Sequence, residues 1–119
     1  MLQYEVEYTD EFGEWWESLS ESEQESVAAY VSLLEEKGPL LPFPYSTKIA
    51  GSKHSHMREL RIQHKGQPYR VLYAFDPRKC ALLLIGGNKT GNDKRWYQTY
   101  IPIADRLYSQ HLKTLKQED

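Results

Sequence analysis

Residues 57–87 read MRELRIQHKGQPYRVLYAFDPRKCALLLIGG, and this stretch decides the fold because it predicts three consecutive strands. Its apolar, aromatic and β-branched residues are those that strands favour, and two short segments with Gly or Pro interrupt them. The predicted strands are Met57–His64, Tyr69–Asp76 and Cys80–Gly86, and the hairpin connectors are Lys65–Gln67 and Asp76–Lys79. The third strand is continuously apolar, which indicates a central position covered on both faces.

The segment before this stretch predicts one strand and two helices. Apolar and polar residues alternate from Leu2 to Tyr8, the pattern of a strand with one buried face. Two apolar stripes with helical spacing follow: Phe12, Trp15, Trp16 and Leu19, then Val27, Tyr30, Val31 and Leu34. Ser20 and Glu23 form a capping box at the start of the second helix, and Gly38-Pro39 ends it. We expect the two helices to form a hairpin packed against the sheet.

The segments on either side of the strands complete the predicted order. Residues 38–55 contain three prolines and little periodicity, which indicates a long ordered loop. Residues 86–95 (GGNKTGNDKR) predict a glycine-rich basic loop, and the last helix is predicted from Pro102 to Lys116. The order β-α-α-β-β-β-α predicts a single small α+β domain over residues 1–119, with a mainly antiparallel sheet packed against a helical hairpin.

Charge is divided unevenly along the chain. The 119 residues carry a net charge of −2, but residues 1–36 contain 11 acidic and no basic residues. Residues 37–119 contain 15 basic and 6 acidic residues. Either the two parts attract each other on folding, or each has its own partner.

Composition excludes two classes of protein. No apolar run approaches the roughly 18–20 residues that cross a bilayer, and the start MLQYEVEY lacks the features of a secretion signal. Cys80 is the single cysteine, which excludes a disulfide-stapled scaffold. We therefore expect a cytoplasmic protein.

Two strand arginines are candidates for binding a phosphate. Arg58 shares a strand face with Leu60, and Arg70 shares one with Leu72, although a permanent charge is costly among apolar residues. A hairpin loop with an odd number of residues, such as three, places both arginines on the same side of the sheet. Two guanidinium groups there suit a phosphate. The alternative is that the acidic helices neutralise both arginines.

The glycine-rich loop is a second candidate site. Residues 86–97 combine glycines, three cations and the aromatic pair Trp96 and Tyr97, which suits close approach to RNA and stacking on its bases. The loop does not match a P-loop. The alternatives are a solvated turn and two aromatic residues of the core.

Histidine and cysteine patterns give little support to a metal site. His54 and His56 share one face of an extended segment, but no third ligand completes a zinc site. We expect them to be loop residues, His111 to be packed on the last helix, and Cys80 to be buried. No cofactor is predicted.

The stretches MRELR, PYRVLY and G-G-x-K…R-W-Y, followed by IPIADRLYSQHL, support a family assignment. They resemble the RelE/ParE superfamily of type II toxins, most closely its HigB-like, phage-derived branch. The resemblance covers the chain from the helical hairpin to residue 115. It implies a RelE-like fold and a ribosome-dependent mRNA interferase, an endoribonuclease that cuts mRNA in the ribosomal A site. The attacking group is the RNA's own 2′-hydroxyl, so no metal is required.

Roles for individual residues follow from their positions in these motifs. The resemblance implies that Arg70 stabilises the transition state and that Arg58 is a second phosphate ligand. The full set of implied catalytic residues is Arg70, Arg58, Lys89 and Tyr97, and the implied RNA-binding residues are Arg61, Lys94, Arg95 and Trp96. Some HigB relatives carry a histidine in this region that the present loop lacks, which leaves the general acid unassigned.

The resemblance also implies partners and leaves two alternative functions. The implied partners are the ribosome with its mRNA and a helix-turn-helix, HigA-like antitoxin, through which alone the pair contacts DNA. No membrane partner is implied. A ParE-like inhibitor of DNA gyrase shares the fold, and an inactive prophage remnant that still binds its antitoxin is the other alternative.

Overall fold

A five-stranded sheet forms the centre of the molecule in this computed structural model, which describes residues 3–91 and 93–118. The elements are β1 (Val6–Tyr8), α1 (Asp10–Glu17), α2 (Glu21–Lys37), a 3₁₀ turn (Gly38–Leu40), β2 (Ser46–Lys48), β3 (Arg58–His64), β4 (Gln67–Phe75), β5 (Ala81–Asn88) and α3 (Asp93–Gln117). The strand order is β1-β5-β4-β3-β2, with β1 parallel to β5 and every other pair antiparallel. The predicted α+β class is confirmed.

A two-residue turn joins β3 to β4. Lys65 and Gly66 both have positive φ, 50° and 77°, and His64 pairs with Gln67. Positive φ at both central residues is the geometry that matches the twist of antiparallel strands, and Gly66 adopts it without strain. The predicted connector Lys65–Gln67 is therefore one residue too long, because Gln67 pairs with His64 and belongs to β4.

Each face of the sheet has its own apolar core. Helices α1 and α2 cover one face with Phe12, Val27 and Leu34, which pack on alternate residues of β3 and β4 such as Leu60 and Val71. Helix α3 covers the other face through a second set: Trp96, Ala104, Leu107 and Tyr108, against Leu72, Ala74, Leu82 and Leu84. Strand β5 is interior and covered on both faces, as its apolar run predicts.

Side-chain caps fix the starts of α1 and α2. The Thr9 side chain accepts a hydrogen bond from the Phe12 amide at 3.0 Å and caps α1. The predicted capping box of α2 is confirmed, because Ser20 and Glu23 exchange hydrogen bonds at 3.1 and 2.8 Å. Such a cap stabilises a helix by about 1 kcal/mol.

Several element boundaries differ from those predicted. Strand β1 begins only at Val6, and the short polar strand β2 lies within the predicted long loop. Helix α3 begins at Asp93, so it passes through Pro102 instead of starting there. Pro102 lies on the exposed side of α3, where solvent can reach the carbonyl that the missing proline N–H leaves unpaired.

Two predicted positions lie outside the described residues: Leu2 of the first strand and Asn92 of the glycine-rich loop. Strand β5 extends through Asn88, which shortens that loop from its N-terminal side. Within residues 3–91 and 93–118, no helix is both long enough and apolar enough to cross a bilayer.

Substitution of glycine by alanine should have opposite effects on stability at two positions, Gly86 and Gly13. A Cβ at Gly86 would lie 2.3 Å from the Trp15 ring, so Gly86→Ala should destabilise the fold by about 1–3 kcal/mol. A Cβ at Gly13, inside α1, meets Tyr8 at an ordinary 3.5 Å, and Gly13→Ala should stabilise by about 0.5–1 kcal/mol. Urea unfolding of both variants measures the difference. Equal stability of the two would contradict the packing of Trp15 on β5.

Candidate functional site

The register of the β3–β4 hairpin decides which arginines meet. Arg61 lies directly opposite Arg70, on the face of the sheet that α3 covers. Arg58 lies opposite Tyr73, whose ring belongs to the core beneath α1 and α2. The expectation that Arg58 and Arg70 share one face is thus wrong, because the loop has an even number of residues.

Arg58 has its own surroundings on the opposite face. Its Nε donates to the Ser46 Oγ at 2.9 Å, and that hydroxyl shares a hydrogen bond with the Tyr73 hydroxyl at 2.5 Å. Ser46 is buried, so these groups tie β2 to the hairpin. The structure does not bring Arg58 to the other predicted catalytic residues.

Arg70 is almost completely buried, with 3% of its surface exposed. Its Nη1 donates to the Tyr69 carbonyl at 2.9 Å. Its Nε lies 3.6 Å from the Glu59 carboxylate, an ion-pair distance, but has no hydrogen-bond partner among the described residues. A guanidinium has five N–H donors, so Arg70 retains donors for a ligand.

Glu59 organises the groups around Arg70. Its Oε1 accepts the Tyr97 hydroxyl at 2.5 Å, and its Oε2 accepts Thr47 at 2.7 Å and the Arg61 Nη1 at 3.4 Å. No sequence motif assigns a role to Glu59. The motif MRELR contains the relevant pattern, because Glu59 and Arg61 are two residues apart and so lie on one face of the strand. Only the turn length shows that Arg70 lies on this face too.

Tyr97 and Lys89 complete the group, joined by Asp93 at the start of α3. The Lys89 Nζ lies 3.3 Å from the Tyr97 hydroxyl, 2.5 Å from the Asp93 carboxylate and 5.1 Å from the centre of the Tyr97 ring. Burial, followed by the hydrogen bond to Glu59, raises the pKa of Tyr97 to about 12, and the Arg70 guanidinium opposes this rise. The phenol therefore keeps its proton at neutral pH. The hydrogen bond from Lys89 lowers the pKa of Asp93.

We call this group the site cluster; its members are Glu59, Arg61, Arg70, Lys89, Asp93 and Tyr97. It holds three cations, two carboxylates and one phenol within connected contacts of 2.5–3.6 Å. The ion-pair partner of Arg70 is Glu59 in the sheet, so the acidic helices do not neutralise this arginine. Three convergent cations can bind an oxyanion. When no ligand is bound, the two carboxylates hold these cations in position.

The remaining predicted residues lie at the edge of the site cluster or behind it. Lys94 and Arg95 are exposed on the first turn of α3. Trp96 is only 7% exposed; it stacks on Tyr100 with ring centres 4.7 Å apart. A Cβ at Gly87 would lie 2.6 Å from the Trp96 Nε1, so the indole packs directly on β5. Stacking on an RNA base would require Trp96 to leave the core.

The histidines hold loops in place, as expected. His54 lies 3.0 Å from the Ser109 hydroxyl and His56 lies 3.0 Å from the Tyr108 hydroxyl, so both join the loop before β3 to α3. His111 packs on α3 beside Tyr108 and lies 2.8 Å from the buried Asp76 carboxylate.

One group of three potential metal ligands occurs in the described part of the chain: Glu5, Glu7 and Cys80. It lies at the opposite end of β5 from Lys89. Glu7 is paired with Arg78 at 2.8 Å. Burial raises the pKa of the Cys80 thiol to about 11, so the thiol is protonated at neutral pH.

Few ion pairs join the acidic and the basic parts of the chain. Among the described residues, the ion pairs that join residues 1–36 to residues 37–119 are Glu7 with Arg78 and the neighbours Glu36 and Lys37. The acidic helices α1 and α2 lie on one side of the sheet, and the cations of the site cluster lie on the other.

Comparison with known proteins identifies the family. Residues 14–109 match the family described as phage derived protein Gp49-like (DUF891). Two similar proteins of Mycobacterium tuberculosis (strain ATCC 25618 / H37Rv) are named as candidate toxins. HigB3 is 45% identical over 92 residues, which cover 77% of this chain and 79% of HigB3. HigB2 is 39% identical over 99 residues, which cover 82% of this chain but only 49% of HigB2.

Two solved structures share the fold at low sequence identity. The isolated E. coli RelE toxin aligns with a TM-score of 0.56 and 14% identity, covering 94% of this chain and 98% of RelE. The archaeal RelE–RelB complex from Pyrococcus horikoshii OT3 contains a chain that aligns with a TM-score of 0.54 and 18% identity, covering 74% of this chain and 97% of that one. The matched family and the two relatives show that the chain belongs to the Gp49-like family of HigB-like toxins, and the two solved structures show that it has the fold of RelE.

Proposed function

We propose that this toxin is a ribosome-dependent endoribonuclease that cuts mRNA in the ribosomal A site. The observation that carries the proposal is the buried Arg70 guanidinium, which retains hydrogen-bond donors beside Arg61, Lys89 and Tyr97. A buried cation with unpaired donors suits a ligand that brings negative charge. The phosphodiester of RNA is such a ligand, and the resemblance to RelE and HigB toxins implies a substrate of this chemical class.

The proposed reaction is an intramolecular transfer at phosphorus. The 2′-oxygen of one nucleotide attacks the adjacent phosphate, the bond to the 5′-oxygen breaks, and a 2′,3′-cyclic phosphate and a 5′-hydroxyl remain. The 2′-hydroxyl loses its proton and the leaving 5′-oxygen gains one. No metal and no protein nucleophile is needed, because the substrate supplies the attacking group.

Five of the six members of the site cluster have a role in this proposal. Arg70 and Arg61 bind the phosphate oxygens where negative charge increases, and Lys89 adds a third cation. Tyr97 remains protonated and orients the strand. Glu59 is a positioning residue, because both of its oxygens already accept hydrogen bonds from neighbouring side chains.

The residues around the site cluster receive lesser roles. Lys94 and Arg95 contact the RNA backbone from their exposed positions, and Trp96 supports the site from the core. Arg58 does not bind the phosphate in this proposal, because it faces the opposite side of the sheet.

We also propose a helix-turn-helix, HigA-like antitoxin as the partner that keeps the toxin inactive. The support is the acidic pair α1 and α2, which leaves a groove of about 460 Å³ beside β1 with an apolar lining that includes Phe12 and Trp16. Tyr8, at its edge, is 65% exposed. An apolar groove with acidic borders suits a basic amphipathic helix. The RelE of Pyrococcus horikoshii is seen in complex with its RelB.

Replacing Arg70 should abolish cleavage, and replacing Arg58 should not. Arg70→Ala removes the main stabiliser of the phosphate charge, so we expect cleavage to fall about 100- to 1,000-fold, equivalent to about 3–4 kcal/mol. Arg58→Ala is the matched control, an arginine of the same sheet on the other face. Primer extension on a reporter mRNA during purified translation, with and without ribosomes, locates the cuts.

The outcomes separate the proposed function from its alternatives. Codon-phased cuts that need ribosomes and persist in Arg58→Ala support the proposal. Growth arrest with intact transcripts would instead favour a gyrase-type target, and intact transcripts without arrest would favour an inactive remnant. Arg70→Lys keeps the buried charge but lacks the planar donor fork, so its low activity together with a wild-type urea unfolding midpoint would exclude misfolding as the cause.

The burial of Tyr97 and its hydrogen bond to Glu59 predict a loss of stability at high pH. The folded pKa of Tyr97, about 12, exceeds its unfolded value of about 10, so its contribution to stability is complete below pH 10 and is lost as pH rises towards 12. Tyr97→Phe should therefore show a shallower fall in the free energy of unfolding between pH 10 and 12. Tyr69, whose pKa is also raised to about 12, keeps its own contribution in both proteins. Urea titrations across this pH range compare the slopes, and identical slopes would contradict the burial of the Tyr97 hydroxyl beside Glu59.

A further inference from the structure

A large groove continues from the site cluster along α3. It has a volume of about 1360 Å³ and runs between α3 and the residues that follow β2. Glu59 and Tyr97 line its first part, and Lys113 lines its far end. The groove therefore connects the proposed site of cleavage to the C-terminal part of α3.

Five exposed cations line this groove: Lys48, Lys53, Lys94, Arg106 and Lys113. None of them forms an ion pair with another residue in the described ranges 3–91 and 93–118. By contrast, the cations of the site cluster all have carboxylate partners. The groove thus presents positive charge that the protein itself does not neutralise.

The acidic residues of the groove are already engaged. Asp105 is 6% exposed, and it accepts the Ser52 hydroxyl at 2.5 Å and the Lys53 backbone amide at 2.9 Å. Glu59 and Asp93 hold members of the site cluster. These carboxylates therefore build the walls of the groove; Asp105 fixes the loop after β2 against α3.

The inner surface of the groove is partly apolar. Ile49 from the loop and Ile101 and Pro102 from α3 contribute to it, while the cations occupy exposed positions. An apolar surface bordered by cations matches a single nucleic-acid strand, whose bases and sugars are flat and weakly polar and whose phosphates are anionic.

We propose that this groove binds the RNA strand that flanks the cleaved phosphate. The proposal rests on the proposed function for the position of the cut, but binding follows from the groove's own charge and shape. Lys94 and Lys113 are 19 residues apart on α3, about 28 Å at the helical rise. That length accommodates about eight stacked nucleotides at 3.4 Å each, and fewer if the strand is extended.

An acidic segment of a protein is the competing occupant. Continuity with the site cluster favours RNA, because a strand held by Arg70 must leave the cluster in some direction and the groove opens there. Cations at separated positions along one helix also suit the repeated phosphates of a strand.

A matched pair of triple variants tests the proposal. The groove variant combines Lys53→Gln, Arg106→Gln and Lys113→Gln. The control variant combines Lys65→Gln, Lys79→Gln and Lys116→Gln, which removes the same charge from exposed positions that do not line the groove. Fluorescence anisotropy of a labelled 12-nucleotide RNA, 2′-O-methylated so that it lacks the attacking hydroxyl, measures binding by the full chain from 50 to 200 mM KCl.

The expected result is a change in salt dependence. Each lost phosphate contact lowers the slope of log affinity against log salt by about 0.7, so the groove variant should lose about 2 in slope. Over the fourfold range of salt, wild-type affinity should then fall about 20-fold more than that of the groove variant. The control variant should retain the wild-type slope. Equal slopes for the two triple variants would overturn the proposal.

Further readouts separate this proposal from the proposed function. For RNAs of 4, 8 and 12 nucleotides, the affinity of the wild type should increase with RNA length up to about eight nucleotides. The affinity of the groove variant should not increase in this way. If wild-type protein makes no cuts yet the slopes differ as expected, the groove binds RNA and the proposed function fails. If the groove variant binds RNA normally but loses its antitoxin, the groove binds protein and the inference is wrong.

Discussion

The turn at Lys65 and Gly66 is the constraint on which the rest of the site depends. Because side chains alternate across a strand, the length of this turn determines which side of the sheet each residue of β3 faces. Two residues place Arg61 opposite Arg70 and bring Glu59 to the same side. One more residue in the turn would place Arg58, and not Arg61, on the face of Arg70. It would also move Glu59, the carboxylate partner of Arg70, to the other face. The electrostatics of the molecule are thus set by a connection that contains none of the site residues.

Local signals predict a large part of this fold. The capping box at Ser20 depends on residues three positions apart, and the apolar run of β5 indicates burial along a single strand. The structure confirms both. The turn length could not be predicted in the same way, because Lys65–Gln67 is compatible with loops of two or three residues. Strand β2 is too short and polar to produce a periodic signal, and its pairing with β3 is a tertiary contact.

The site was predictable by residue type but less so by arrangement. The sequence identified Arg70, Lys89 and Tyr97, which the structure brings together. It could not distinguish a stacking tryptophan from a core tryptophan, because the contact of Trp96 with Gly87 of β5 depends on how α3 folds back onto the sheet. Glu59 escaped notice for a related reason: a carboxylate in a strand acquires meaning only when its cross-strand neighbours are known.

The burial of Arg70 against Glu59 has an evolutionary consequence. Losing either partner leaves the other charge buried with less compensation, which destabilises a fold far more than losing an exposed charge does. Mutations at Arg70 are therefore selected against even in a lineage that no longer needs the toxin, as long as the folded chain is retained. Lys94 and Arg95 lie in solvent and carry no such constraint. A decaying copy should lose exposed cations such as these first and keep its buried arginine longest, so an intact Arg70 alone is weak evidence for activity.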